Sequence, residues 1–169
     1  MQSVFRIAIL TAVVAAASAC SGDHGDSQQP PARRNGAFIA HAEHVCSRAR
    51  AQLDALPAFP FRQFDALHPD ARLLPKVGRF FTGKGNELPI VRRLDAELRG
   101  LGAPPADHAA WASVLETLRN YIAVFHQEDA AALRADARAW VGAVRLNRQL
   151  HTRLATTTTA FGARGCDVL

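Results

Sequence analysis

Four stretches of this chain carry apolar residues spaced by threes and fours, and this helical period restricts the fold more than any other feature. The stretches run from about 37 to 56, from about 87 to 101, from about 107 to 133 and from about 136 to 161. β-branched residues are few outside residues 156–159, and no stretch alternates apolar and polar residues as a half-buried strand does. The sequence therefore predicts an all-α protein.

Cap residues and breakers mark the ends of these helices. Pro57 stops the first helix, and the fourth is less purely apolar than the others because Asn147 and His151 interrupt its stripe. Polar residues that favour the N-cap position precede the first three helices: Asn35, Asn86 and Asp107. The fourth helix opens near Asp136.

The third and fourth helices match in length. A helix of about 25 residues is about 38 Å long, so the two can pack antiparallel. Residues 129–136 between them either turn the chain or merely kink one long helix, and only a turn gives a compact domain. We therefore predict an antiparallel four-helix bundle.

A long segment rich in phenylalanine and proline, residues 57–85, lies between the first two predicted helices and is predicted to be a loop. It holds five of the nine phenylalanines and carries a net charge of +3. These aromatics either close one end of the bundle as a satellite core, or form an apolar, basic surface for an acidic or amphipathic partner. They are Phe59, Phe61, Phe64, Phe80 and Phe81.

The first twenty residues have the pattern of an export signal. Residues 1–6 are short and basic, residues 7–17 are apolar but too few to span a bilayer, and residues 17–19 are small. The run Ala17-Ser18-Ala19-Cys20 resembles the lipobox of bacterial lipoproteins. In that family the cysteine receives a diacylglyceryl group, the chain is cut before it, and the new amino terminus is often acylated. Ordinary secretory cleavage at the same small residues is the alternative.

This resemblance divides the chain into three parts: a signal peptide (1–19), a lipidated cysteine with a disordered tether (20–36), and a helical domain (37–169). Two or more acyl chains hold a protein stably at a bilayer. We expect the mature protein on the cell membrane or outer membrane, facing the periplasm or the exterior. Its expected partners are an envelope protein or anionic lipid rather than nucleic acid; the oligomeric state stays open.

Cysteine parity agrees with lipidation. The chain has three cysteines, and lipid on Cys20 leaves Cys46 and Cys166 as a pair. Cys46 flanks the stripe of the first helix and Cys166 follows the fourth, so a disulfide can close the bundle. The bond is predicted to be structural, because a redox pair more often shows Cys-x-x-Cys spacing.

Sequence motifs that indicate catalysis or metal binding are few. His41 and His44 share a helix face, and with His126 and His151 they suggest a metal- or haem-binding bundle as the alternative function. The chain contains no Glu-x-x-His, no His-Glu-x-x-His, no Cys-x-x-Cys-His and no Gly-x-Ser-x-Gly. We predict no enzyme and no cofactor, since stripes of leucine and alanine leave little room for a polar cleft.

The mature part resembles small, alanine-rich helical lipoproteins of high-GC bacteria, which have one cysteine in the first helix and another near the C-terminus. That resemblance implies an envelope location and no established activity. The resulting hypothesis is a lipid-anchored envelope protein that acts as a non-enzymatic binding or structural component.

Overall fold

The computed structural model describes residues 34–167. This part of the chain forms five α-helices and no strand: α1 (Gly36–Asp54), α2 (Leu74–Phe81), α3 (Leu88–Gly100), α4 (His108–Leu133) and α5 (Ala137–Phe161). A short 3₁₀ helix, Arg164–Cys166, follows α5. The all-α prediction is confirmed for the described residues. None of the described helices combines the length and the apolar character that crossing a membrane requires.

The predicted loop between the first two helices contains an additional helix. α2 occupies residues 74–81 of the segment, so the prediction of a continuous loop over residues 57–85 was wrong there. Leu74 and Val77 are fully buried and provide the packing that a two-turn helix needs. A Cβ added at Gly78 would lie 3.0 Å from the Cβ of Ala132, so α2 packs very closely against the end of α4.

Asn35 does not cap α1 through its side chain. The side chain is fully buried, and its Nδ2 donates to the carbonyl of Ala106 (3.0 Å) while its Oδ1 accepts from the N–H of Ala106 (2.8 Å). This two-way bond mimics backbone pairing and joins the start of α1 to the segment before α4. The packed domain therefore includes residue 35, where the composition of the sequence predicts a tether.

Asp136 is the N-cap of α5 and accepts from the N–H of Ala139 (3.0 Å). Asn86, the predicted cap of the next helix after α1, lies one residue before the N-cap position of α3, which Glu87 occupies, although its side chain accepts from the N–H of Leu88 (3.1 Å). Asp107 instead takes a left-handed conformation (φ 58°) and makes no capping bond. The break at residues 134–136 is a turn, because α4 ends before it and α5 begins after it.

The disulfide joins α1 to the end of the chain. Cys46 and Cys166 are both buried, and their sulfurs lie at bonding distance, as predicted. Gly162 ends α5 in a left-handed conformation (φ 97°), which glycine adopts without strain, and the chain then turns toward α1. The N–H of Gly165 donates to Glu43 on α1 (3.1 Å) beside the disulfide.

Buried side chains form two groups. The main core lies among α1, α3, α4, α5 and the 3₁₀ helix, and includes Val91, Leu94, Leu98, Trp111, Val114, Leu118, Leu150, Leu154 and Phe161. The second cluster lies between α2 and the facing ends of α4 and α5, and consists of Leu74, Val77, Ala131, Ala132, Trp140 and Val144. Half-buried aromatics from residues 59–81 pack against the second cluster.

Candidate ligand-binding cavity

A cavity of about 390 Å³ opens beside the second cluster. One wall comes from α4 and another from α5; the aromatic segment and the junction between α2 and α3 provide the rest. Phe59, Phe64, Phe81, Tyr121, Phe125 and Trp140 supply its aromatic surface, and Glu87, Glu128, Asp129, Asn147 and Arg148 supply charged or amide groups. A cavity of this size, lined by apolar groups with a few polar ones, is typical of a small-molecule site.

The helical period explains how α4 and α5 face this cavity. Tyr121, Phe125 and Glu128 on α4 recur at spacings of four and three, which places them on one side of the helix. On α5, Trp140, Val144 and the pair at 147 and 148 repeat the same pattern. Each helix therefore presents apolar residues at one end of its cavity face and polar residues toward the other.

The aromatic wall is held by ring contacts and one hydrogen bond. Phe59 stacks on Phe81 with ring centroids 5.3 Å apart, and Phe64 meets Trp140 edge to face at 5.9 Å. The indole N–H of Trp140 donates to the carbonyl of Ala66 (2.9 Å), which ties the aromatic segment to α5. These contacts make the wall a built surface rather than a loose loop.

Three carboxyl groups line the polar side. Glu128 and Asp129 come from the last turns of α4, and Glu87 comes from the residue before α3. The Nδ2 of Asn147 donates to Glu128 Oε2 (3.2 Å) across α4 and α5. Asn147, which interrupts the apolar stripe of α5 in the sequence, thus forms a hydrogen bond to Glu128 in the structure.

Burial makes these groups harder to ionise than in water. Burial, reinforced by the neighbouring Asp129 and Glu87, raises the pKa of Glu128 to about 7, although the bond from Asn147 acts in the opposite direction. Burial also raises the pKa of Glu87 and of Asp129. The pKa of Tyr121 is raised by burial and by the nearby glutamates.

The cavity therefore combines an apolar wall with three carboxyl groups whose pKa values burial raises, and that of Glu128 is about 7. Glu128 is present in both protonation states around pH 7, so it can accept or donate a proton to a bound molecule. Such an arrangement fits an amphipathic ligand, with the apolar part against the rings and the polar part against the carboxyls. The expectation that the helical stripes leave little room for a polar cleft was wrong at this place.

The five phenylalanines of residues 57–85 fall into two groups, those that line the cavity and those that pack behind them. All five are half-buried; Phe59, Phe64 and Phe81 line the cavity, and Phe61 and Phe80 pack on Phe59 at 5.3 Å and 5.5 Å. The satellite-core interpretation agrees with these contacts. The interpretation as a surface for a partner stays a prediction.

The histidines of the alternative hypothesis are exposed. His41 and His44 lie on α1, His126 on α4 and His151 on α5, and the imidazole of His126 contacts the guanidinium of Arg92. Among residues 34–167, no three histidine, cysteine or acidic side chains come together as metal ligands. Cys20, the predicted lipid-attachment site, lies outside the described residues.

Sequence reasoning missed Glu87, Glu128, Asp129 and Tyr121 as site residues. One signal was available: Glu128 falls seven residues after Tyr121, in register with the buried stripe of α4, and Asn147 breaks the stripe of α5. Two polar interruptions on helices that were predicted to pack together are a signature of a shared polar site.

No protein-family model, no curated protein and no solved structure matches the chain.

Proposed function

We propose that this chain is a lipid-anchored envelope protein whose helical domain binds a small amphipathic molecule in the cavity between α4, α5 and the aromatic segment, without transforming it. The cavity carries the proposal: about 390 Å³ suits a molecule with a largely apolar body and one polar group. Its lining supplies rings and carboxyl groups for those two parts.

The envelope location is proposed from the N-terminal sequence. The lipobox-like run that ends at Cys20 attaches the chain to the cell membrane or outer membrane, and residues 21–34 separate the domain from the bilayer. A buried disulfide supports export, because such bonds form in oxidising compartments.

For the architecture, we propose that α1, α3, α4 and α5 form the antiparallel four-helix bundle. The bond between Asn147 and Glu128 across α4 and α5 supports this arrangement, as does the disulfide that joins α1 to the residues after α5. Residues 57–87, including α2, then cover one end of the bundle and complete the cavity.

The ligand-binding proposal is tested with the neutral fluorescent probe N-phenyl-1-naphthylamine and the full chain carrying Cys20→Ser, which removes the lipid. We expect saturable enhancement of fluorescence at one site per chain. Val144→Phe fills the cavity and should abolish the enhancement, whereas Leu146→Phe on the exposed side of α5 should leave it unchanged. Equal binding by both variants, with circular dichroism showing that both are folded, would contradict a site in this cavity.

The anchor is tested separately by fractionating cells that express the chain with and without Cys20→Ser. We expect the unsubstituted protein in the membrane fraction, with an N-terminal peptide whose mass includes the diacylglyceryl group. The substituted protein should leave the membrane fraction. A mature N-terminus with no added mass would exclude lipidation and leave ordinary secretion.

A further inference from the structure

We propose that the ligand of this cavity is a small organic cation, an ammonium group attached to an apolar body. This inference rests on the proposed binding function and adds the chemical class of the ligand. It is carried by the juxtaposition of carboxyl groups outside any ion pair and aromatic rings around one open cavity.

The charge of the cavity opposes that of the whole chain. The protein carries a formal charge of +5, yet the cavity lining contains three acidic residues and one basic residue, Arg148. Within residues 34–167, the ion pairs of the structure include none of Glu87, Glu128 and Asp129. Three carboxyl groups are thus gathered in a partly buried place outside any ion pair. Burial raises the pKa of Asp129, and the nearby His126 acts in the opposite direction without forming an ion pair.

A ligand cation would supply the missing partner. Charges removed from water cost free energy unless they are paired, and the mutual repulsion of the three groups adds to that cost. Glu128 receives one hydrogen bond, from Asn147, which leaves acceptor sites on its carboxyl group open. An ammonium group carries up to three donors and a positive charge, and so matches these acceptors.

The aromatic wall favours the same ligand. Ring faces attract cations through their quadrupoles, and Tyr121 and Phe125 form an edge-to-face pair at 4.8 Å on the helix that also holds Glu128. The carboxyl groups and the rings can therefore act on one ammonium group together. Phe59, Phe64 and Trp140 then surround the apolar body.

The same observations disfavour other occupants. An anionic amphiphile would bring its charge against the three acidic residues, with only Arg148 to offset it. A bare metal ion would leave most of 390 Å³ unfilled, and the described residues offer no set of three metal ligands.

The test is isothermal titration calorimetry at pH 8 with three probes of matched size: 2-phenylethylammonium, 2-phenylethanol and 3-phenylpropanoate. The protein is the full chain carrying Cys20→Ser. We expect the cation to bind about tenfold more tightly than the alcohol, and the carboxylate most weakly. Glu128→Gln should remove most of the preference for the cation while binding of the alcohol changes less than about twofold.

Glu116→Gln is the matched control, because Glu116 is exposed on the same helix and outside the cavity lining. It should leave all three affinities unchanged. Binding of the alcohol or the carboxylate as tightly as the cation would overturn the cationic ligand but not the cavity as a site. If Glu128→Gln preferred the cation over the alcohol as strongly as the unsubstituted protein does, the cationic ligand would likewise be overturned. Absence of binding for all three probes and for N-phenyl-1-naphthylamine would overturn the proposed function itself.

Discussion

The main core and the second cluster differ in how completely each is closed. In the main core, aliphatic side chains such as Leu98 and Leu118 are almost fully buried, and a disulfide secures its edge. Around the second cluster, phenylalanines are only half-buried and border a cavity that contains carboxyl groups. The main core buries apolar surface, which stabilises the fold, whereas the second cluster borders open space and carboxyl groups, which the proposed binding function would use at the expense of stability.

The disulfide of the main core gives the largest expected effect. Replacing both cysteines, Cys46→Ala with Cys166→Ala, removes a closure spanning 120 residues. The chain-entropy model predicts a loss of about 4–5 kcal/mol in the free energy of unfolding. Urea denaturation measures this loss. A loss below about 1 kcal/mol would show that the main core does not depend on the bond.

Alanine substitutions of one leucine in the main core and of one phenylalanine beside the second cluster should separate effects on stability from effects on binding. Leu118 is 1% exposed, so Leu118→Ala leaves a cavity and should cost about 3–4 kcal/mol without weakening binding to the folded protein. Phe59→Ala should cost less, because its ring is half-buried, yet weaken binding of N-phenyl-1-naphthylamine. Denaturation and probe titration of both variants give the comparison. A smaller loss of stability in Leu118→Ala than in Phe59→Ala would contradict this difference between the main core and the second cluster. Weaker probe binding by folded Leu118→Ala than by Phe59→Ala would contradict it as well.

Loss of the proton from Glu128, beside the second cluster, should lower the stability of the folded protein as the pH rises. Its pKa is about 7 in the folded protein against a reference value of 4.5, so the folded state holds the proton more strongly than the unfolded state. The stability gained from this proton is present at low pH and is lost as pH rises to about 7. We expect about 2–3 kcal/mol to be lost between pH 5 and pH 8 from this group.

Glu128→Gln should remove that loss, and Glu116→Gln should retain it. Denaturation curves at the two pH values for all three proteins measure the difference. Besides burial, Asn147 on α5 lowers the pKa of Glu128, and Asp129 on α4 and Glu87 before α3 raise it; Tyr121 and Arg148 also line the cavity. If the free energy of unfolding fell equally between the two pH values in Glu128→Gln and in the unsubstituted protein, Glu128 would not retain its proton in the folded state as proposed.

The smallest expected effect concerns the bond between the two helices of the cavity. Asn147→Ala removes the donor to Glu128 Oε2 and should cost about 1 kcal/mol. It should also raise the pKa of Glu128, since this bond lowers it in the folded protein. Carbon-13 NMR titration of the glutamate side chains measures that shift. An unchanged pKa would show that the bond contributes nothing to the charged state.

Local patterns predicted the regular parts of the fold. The four longer helices follow from a repeated apolar period, and Asp136 caps α5 where the sequence places a polar residue before an apolar stripe. The second helix, α2, was missed because it is only eight residues long: Leu74, Val77 and Phe81 have helical spacing, but a helix of two turns is not stable by itself and was taken for part of the proline-rich loop. Its helical form depends on Leu74 and Val77 being buried against α4 and α5.

The sequence by itself determined the all-α class and the boundaries of the four longer helices to within a few residues, because both depend on short-range periodicity. The pair of Cys46 and Cys166 was predicted from the count of thiols together with the proposed lipidation of Cys20. Only the tertiary structure decided the site. Glu87 and Glu128 are 41 positions apart and become one site only when α3, α4 and α5 pack around a shared space. Burial and the mutual repulsion of carboxyl groups, which change their chemistry, are properties of that packing and not of any single segment.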